Sequence, residues 1–253
     1  TINGTPVSST LPTITVNPGT FSLSQSLLSV STASVASGST VLLTLTAKDS
    51  LGNQLTSGGL TVAFSRSGGT SSGNISATTD NSNGIYTANF LGTTSGTATT
   101  ISASIGGSAI TSTLPTETVT AGPVSLSQSL VTITGSPSFI LSGSTATVKL
   151  TTKDSNGNLL SAGGLTVTFT ATGGTSTGAF STVVDNNDGT YQSTFTGAAA
   201  GTALNFGSTI GGSATTSAKP SMSVVPGAYS LSQSLVTLSG ASVLSGNTVN
   251  ATV

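Results

Sequence analysis

The sequence SLSQSL stands at residues 22–27, and it recurs at residues 125–130 and 230–235. After the first two copies, the same motifs follow in the same order. A period of roughly 100 residues is that of a whole domain, because solenoid units are much shorter. The chain is therefore predicted to be a tandem array of one module.

Four segments follow from this repeat. Residues 20–121 and residues 122–227 are each predicted to form a complete module. Residues 1–19 carry the motifs of the C-terminal strands of a preceding module, and residues 228–253 carry those of the N-terminal strands of a following one. We therefore expect the sequence to be a window within a longer chain.

The chain is unusually poor in charge. Charged residues make up 4% of it and the net charge is −1, whereas ordinary globular chains contain roughly 25% charged residues. No basic surface is available for nucleic acid or for an anionic membrane, and no apolar run reaches the length of a membrane span. Neither nucleic acid nor a membrane is therefore an expected partner of this segment.

Alternation of apolar and polar residues predicts an all-β fold. In residues 40–48, for example, Val41, Leu43 and Leu45 share one face of a strand. Seven strands are predicted in the first module, near residues 21–32, 40–48, 60–65, 73–79, 86–90, 99–105 and 109–119. Seven short strands with frequent turn signals indicate an immunoglobulin-like β-sandwich. Because the linkers are short and contain Pro and Gly, we expect the tandem sandwiches to be arranged as a rod.

The module motifs resemble those of a known family. They read SGST at residues 37–40, KDSLGN at 48–53, GGLTVAF at 58–64, TDNSNGIY at 79–86 and IGG at 105–107. This pattern resembles the bacterial immunoglobulin-like repeats of invasin and intimin-type adhesins, in particular the invasin third-domain type. The resemblance covers essentially the whole chain. It implies a stalk of an outer-membrane adhesin, a part of a surface fibre or a decoration of a phage particle.

Catalysis is not expected. The chain contains no His and no Cys, so Ser–His–Asp and Cys–His arrangements and the commonest zinc ligands are absent. With 6 acidic residues in all, a pair of catalytic carboxylates is improbable. No catalytic residue and no cofactor-binding residue is therefore predicted.

No cofactor is predicted, and calcium binding is a hypothesis to be tested. In a seven-stranded sandwich, the loops after the second, fourth and sixth strands lie at the end where the first strand begins, which faces the preceding module. Asp154, Asp185 and Asp188 of the second module could there approach Glu117 of the first, and oxygen ligands suit Ca²⁺. The competing interpretation is that the Asp-rich turns bond only to their own backbone.

Aromatic side chains bear on a sugar-binding function. The tyrosines are Tyr86, Tyr191 and Tyr229, and there is no Trp. Tyr86 and Tyr191 have the inward parity of their strands, so core packing is predicted for them in preference to an exposed platform for sugars.

The sequence thus favours a structural or adhesive protein of the bacterial cell surface, whose tandem modules form an extracellular stalk or fibre. The alternatives are a phage-particle or filament component and an array of carbohydrate-binding modules. Expected partners are the neighbouring modules of the same chain, with other copies in a fibre as a further candidate. A host receptor or surface glycan is left unidentified.

Overall fold

The computed structural model describes residues 1–10, 12–135 and 138–253. It divides into two compact units. The first unit is Thr1–Pro123 with Asp154–Asn158, and the second is Val124–Lys153 with Leu159–Val253. All regular elements in the described residues are β-strands, and no helix there is long and apolar enough to cross a membrane. The predicted all-β class is confirmed.

Two five-stranded sheets form the first unit. Its strands are β1 (Leu27–Val30), β2 (Ser34–Ala36), β3 (Thr40–Thr46), β4 (Val62–Ser67), β5 (Ser72–Ile75), β6 (Thr79–Asp80), β7 (Ile85–Thr94), β8 (Thr99–Ile105), β9 (Ser108–Ala109) and β10 (Thr116–Thr120). One sheet has the order β1-β3-β7-β5, with β6 also on β7. The other has the order β2-β10-β8-β4, with β9 also on β8.

The second unit repeats this topology. Its strands are β11 (Leu130–Thr134), β12 (Phe139–Leu141), β13 (Thr145–Thr151), β14 (Val167–Thr172), β15 (Gly178–Phe180), β16 (Val184–Asp185), β17 (Thr190–Gly197), β18 (Leu204–Ile210), β19 (Ser213–Ala214) and β20 (Ser221–Val225). The sheet orders are β11-β13-β17-β15 and β12-β20-β18-β14. A separate pair, β21 (Thr237–Leu238) and β22 (Ala251–Thr252), completes the unit.

The structure differs from the predicted strand bounds of the first module at three places. The predicted first strand, residues 21–32, contains only β1, and a second strand, β2, follows it at once. β1 pairs antiparallel with β3, whereas β2 pairs parallel with β10 in the other sheet. The predicted strands at 73–79 and 109–119 likewise divide into β5 with β6 and β9 with β10. Alternation shows which side chains point inward, but it does not show which strand lies alongside.

Each unit has its own apolar core. In the first unit the inward side chains of β3 and β7 are buried as predicted, with Leu43, Leu45, Tyr86 and Phe90 fully inaccessible. Burying one such side chain contributes about 1.5–3 kcal/mol. The core of the second unit contains an aromatic cluster, in which the rings of Phe195 and Phe206 meet edge to face at 5.0 Å.

Candidate functional site

The loop that follows β3 is organised by the carboxylate of Asp49, which is almost fully buried. Its Oδ1 accepts hydrogen bonds from the backbone N–H groups of Leu51 and Asn53, both at 2.9 Å. Its Oδ2 accepts one from the N–H of Gly19 at 3.0 Å and one from Asn53 Nδ2 at 3.1 Å. The Gly19 N–H, followed by the Asn53 side chain, lowers the pKa of Asp49 from 3.8 to about 2.

The same arrangement surrounds Asp154, whose segment 154–158 belongs to the first unit. Oδ1 accepts the backbone N–H groups of Asn156 and Asn158 at 2.9 Å. Oδ2 accepts the N–H of Gly122 at 2.9 Å and Asn158 Nδ2 at 2.8 Å. Burial raises the pKa of Asp154, but the hydrogen bonds from Asn158 and Gly122 outweigh it, so the pKa lies below its ordinary value.

Asn158 extends this network further into the first unit. Its Nδ2 also approaches Ser37 Oγ at 2.9 Å and the carbonyl oxygen of Thr93 at 2.8 Å. Its Oδ1 accepts the N–H of Ser95 at 2.9 Å. Sequence reasoning missed this asparagine, although the spacing Asp-x-x-x-Asn occurs at both 49–53 and 154–158 and could have indicated it.

Asp185 is the last residue of β16, Asp188 lies in the turn that follows it, and both bond mostly to backbone N–H groups. Asp185 accepts the N–H groups of Gly164 at 2.7 Å and Asn187 at 2.8 Å. Asp188 Oδ1 accepts both the hydroxyl of Thr190, at 2.6 Å, and its N–H, at 2.9 Å. The hydrogen bond from the Thr190 hydroxyl has the largest effect in lowering the pKa of Asp188, and the bond from the Thr190 N–H lowers it further. The donors Asn187 and Thr190 lie in or beside the turn, whereas Gly164 lies 21 residues before Asp185.

Glu117, the candidate calcium ligand of the first unit, is buried within that unit. It belongs to β10 and points into the core of the first unit, where its side chain is fully inaccessible to solvent. Neither carboxylate oxygen has a hydrogen-bond partner, and burial raises the pKa of Glu117 from 4.5 to about 7. The side-chain parity of β10 thus turns Glu117 into the first unit, and its assignment as a calcium ligand stays an untested prediction.

Calcium binding by Asp154, Asp185, Asp188 and Glu117 stays an untested prediction. In the part of the chain that the structure describes, no three His, Cys, Asp or Glu side chains come together as a metal site. Both Asp154 oxygens are already occupied by N–H donors. Calorimetry in millimolar calcium tests the hypothesis: binding would support it, and the absence of heat and of any shift in melting temperature would exclude it.

The tyrosines occupy two kinds of position. Tyr86 and Tyr191 are buried, as predicted, and their hydroxyls accept the N–H groups of Leu60 and Leu165, both at 3.0 Å. Tyr229 is 85% exposed. Tyr86 and Tyr191 therefore serve their cores and supply no platform for a sugar.

One face of the first unit is covered by hydroxyl groups. The residues of β8 and β10 that alternate with buried ones are Thr100, Ser102, Ser104, Thr116, Thr118 and Thr120. Ser102 shares a 2.7 Å hydrogen bond with Ser65 on β4. Such a face can donate and accept hydrogen bonds, but it presents no charge and no group poised for proton transfer.

Comparison with known proteins agrees with this geometry. The family model for invasin, domain 3, matches residues 22–123 and again residues 127–227. The chain belongs to this family. The predicted resemblance and the tandem immunoglobulin-like fold are thus confirmed. A search of curated proteins finds no match.

Solved structures of bacterial adhesins share the fold. FdeC, an Escherichia coli adhesin, is 25% identical with a TM-score of 0.58, over 88% of this chain and 70% of that one. InvD of Yersinia pseudotuberculosis is 26% identical with a TM-score of 0.50, over 86% and 63%. Invasin, described as a bacterial integrin-binding protein, is 23% identical with a TM-score of 0.53, over 88% and 42%. The chain thus spans less than two thirds of InvD and of invasin.

Proposed function

We propose that this chain is a structural part of a bacterial surface adhesin, in which the invasin-type units act as an extracellular stalk or fibre. The observation that carries the proposal is the family match to two successive units, each of which has a complete core of its own. The adhesin FdeC, to which the chain is similar over most of its length, supports the adhesive surface location.

The polar groups support a mechanical role. The Asp49 and Asp154 carboxylates are satisfied by backbone and amide donors of the first unit, so they act as fixed structural links. An open groove of about 390 Å³ in the second unit is lined mainly by apolar side chains and contains Lys219 as its one charged group. Neither feature brings together a nucleophile, a base and an oxyanion donor, which hydrolytic chemistry requires. We therefore propose a function without catalysis.

Replacing the units by the same number of unrelated units tests whether they act as a stalk. Residues 20–227 of the native protein would be replaced by unrelated immunoglobulin-like units of equal number, and adhesion of the producing bacteria would be measured beside a deletion of the same residues. A stalk predicts that the deletion reduces adhesion and that the exchange preserves it. Loss of adhesion in the exchange, with equal amounts at the surface, would show that these units themselves bind the receptor.

Location is tested separately. Intact cells would be labelled with an antibody against residues 20–227 and then treated with protease. We expect the antibody to label intact cells and the protease to remove that label. Antigen that is detected only after the cells are lysed would contradict the proposal. The intact mass of the antigen from its native source would also show whether it exceeds the 24.4 kDa of this chain.

A further inference from the structure

The Glu117 carboxyl group lies inside the first unit without any polar partner. Its side chain has no accessible surface, and Oε1 and Oε2 both lack a hydrogen bond. A buried acid in such a place strongly disfavours the ionised form, because the charge loses its water without gaining a compensating donor. Protonation and ionisation of this group must therefore have different consequences for the fold.

The strands beside Glu117 provide no compensating charge. β10 lies between β2 and β8, and neither of these strands contains a titratable residue. Opposite Glu117 on β8 is Thr99, whose hydroxyl donates to the carbonyl oxygen of Ser67 at 3.1 Å. The hydroxyl of Thr99 is thus engaged elsewhere.

The more distant core strands provide none either. β1, β3 and β5 contain no titratable side chain. β7 contributes Tyr86, whose hydroxyl accepts the N–H of Leu60. β4 contributes Arg66, which is exposed and whose Nε donates to the carbonyl oxygen of Gly73 at 3.2 Å. Neither Tyr86 nor Arg66 hydrogen-bonds to Glu117.

The second unit contains a natural comparison. Met222 occupies the equivalent place on β20, is also fully buried, and lies opposite Leu204 on β18. The positions correspond, because Val119 and Val224, two residues further on, each donate their N–H to a buried serine at 2.9 Å. The fold therefore accepts an apolar pair here, and the acid distinguishes the first unit from the second.

We propose that Glu117 makes the first unit pH-sensitive: β10 is held firmly while the carboxyl is protonated and is loosened when it ionises. An ionised carboxylate gains water only if β10 separates from its neighbours. Because β10 is the sole sheet partner of β2 among the described residues, its release would also free β2. This inference does not depend on the proposed stalk function.

The direction with pH follows from the two states. The pKa of Glu117 is about 7 in the folded unit, above its ordinary value of 4.5. The unfolded chain therefore loses this proton at a lower pH than the folded unit does. The contribution of Glu117 to stability is complete below about pH 4.5, falls as the pH rises to about 7, and is constant above it.

Hydrogen exchange of the full chain tests the proposal, with peptides from β8 and β10 compared with those from β18 and β20. Exchange would be measured in the presence of a metal chelator between about pH 5 and pH 8, and the rates would be corrected for the intrinsic pH dependence of exchange. As the pH rises over this range, we expect protection in the first unit to fall at least tenfold relative to protection in the second. An equal pH response of the two units would overturn the proposal. So would loss of the response in millimolar calcium, which would make Glu117 a metal ligand.

Variants separate this effect from general destabilisation. Glu117→Met, which copies the second unit, and Glu117→Gln should both abolish the relative fall in protection. If protection in the first unit still falls relative to the second with rising pH in either folded variant, the proposal is overturned. Should both fail to fold, Met222→Glu provides the reciprocal test, in which the second unit must acquire the response or lose its fold selectively at high pH. A folded Met222→Glu chain without that response would equally overturn the proposal.

Discussion

The backbone N–H of Gly19 donates a 3.0 Å hydrogen bond to Oδ2 of Asp49, thirty residues further along the chain. The carboxylate that receives it is almost inaccessible to solvent. A charged acceptor strengthens such a bond, so one side chain joins the segment before β1 to the loop after β3. The bond between Gly122 and Asp154 has the same form.

Asp49→Asn should weaken the first unit and make its acid denaturation shallower. The folded-state pKa of Asp49, about 2, lies below its ordinary value of 3.8, so the stabilisation is complete above about pH 3.8 and is lost as the pH falls through 2. Thermal melting of both chains between these values and neutrality is the measurement. An unchanged acid limb in Asp49→Asn would contradict the role assigned to the carboxylate.

Tyr86→Phe should destabilise the first unit by about 1 kcal/mol, because the N–H of Leu60 loses its acceptor while the ring stays in place. Tyr191→Phe should have a similar effect on the second unit through Leu165. Denaturant unfolding measures both. Tyr229→Phe is the matched control, since this ring is exposed and its change should leave stability unaltered. Equal effects of all three would show that the buried bonds contribute nothing.

Ser71→Ala should cost about 1–3 kcal/mol, because it leaves the N–H of Val119 buried without a partner. Ser176→Ala should do the same to Val224 in the second unit. The control is Ser72→Ala, at the neighbouring and only partly buried position. The expected readouts are a lower unfolding midpoint and faster exchange of the valine amide. A valine amide that stays protected in the Ala variants would refute this assignment.

Gly73→Ala should destabilise the first unit by about 1–3 kcal/mol through overpacking. A methyl group on Gly73 would meet the carbonyl oxygen of Leu91 and would lie 2.8 Å from the ring of Phe90. Gly178 faces Phe195 in the same manner, so Gly178→Ala should affect the second unit alike. Asn74→Ala, at an exposed position of the same strand, is the control for thermal melting. If Gly73→Ala and Gly178→Ala were as stable as Asn74→Ala, the strands would accommodate the added methyl group without loss of stability, which would contradict this prediction.

Much of the candidate site was outside the reach of sequence patterns. The Asp-rich turns were recognised from their composition, and Asp185 and Asp188 do bond to nearby backbone groups. The link from Asn158 to Ser37 joins residues 121 positions apart, and a local pattern contains no information about such a distance. The position of Glu117 in the chain does not by itself show on which face of β10 its side chain lies.

The sequence by itself determined the module, its period, its all-β class and most of its core, because side chains alternate between the faces of a strand and the same alternation recurs in each repeat. The tertiary structure alone decided that β2 leaves the sheet of β1 to pair with β10. It also decided that Glu117 is buried without a partner and that Gly19 and Gly122 donate to Asp49 and Asp154. The reason is that strand order and polar contacts depend on segments brought together by folding, whereas alternation is written into each strand locally.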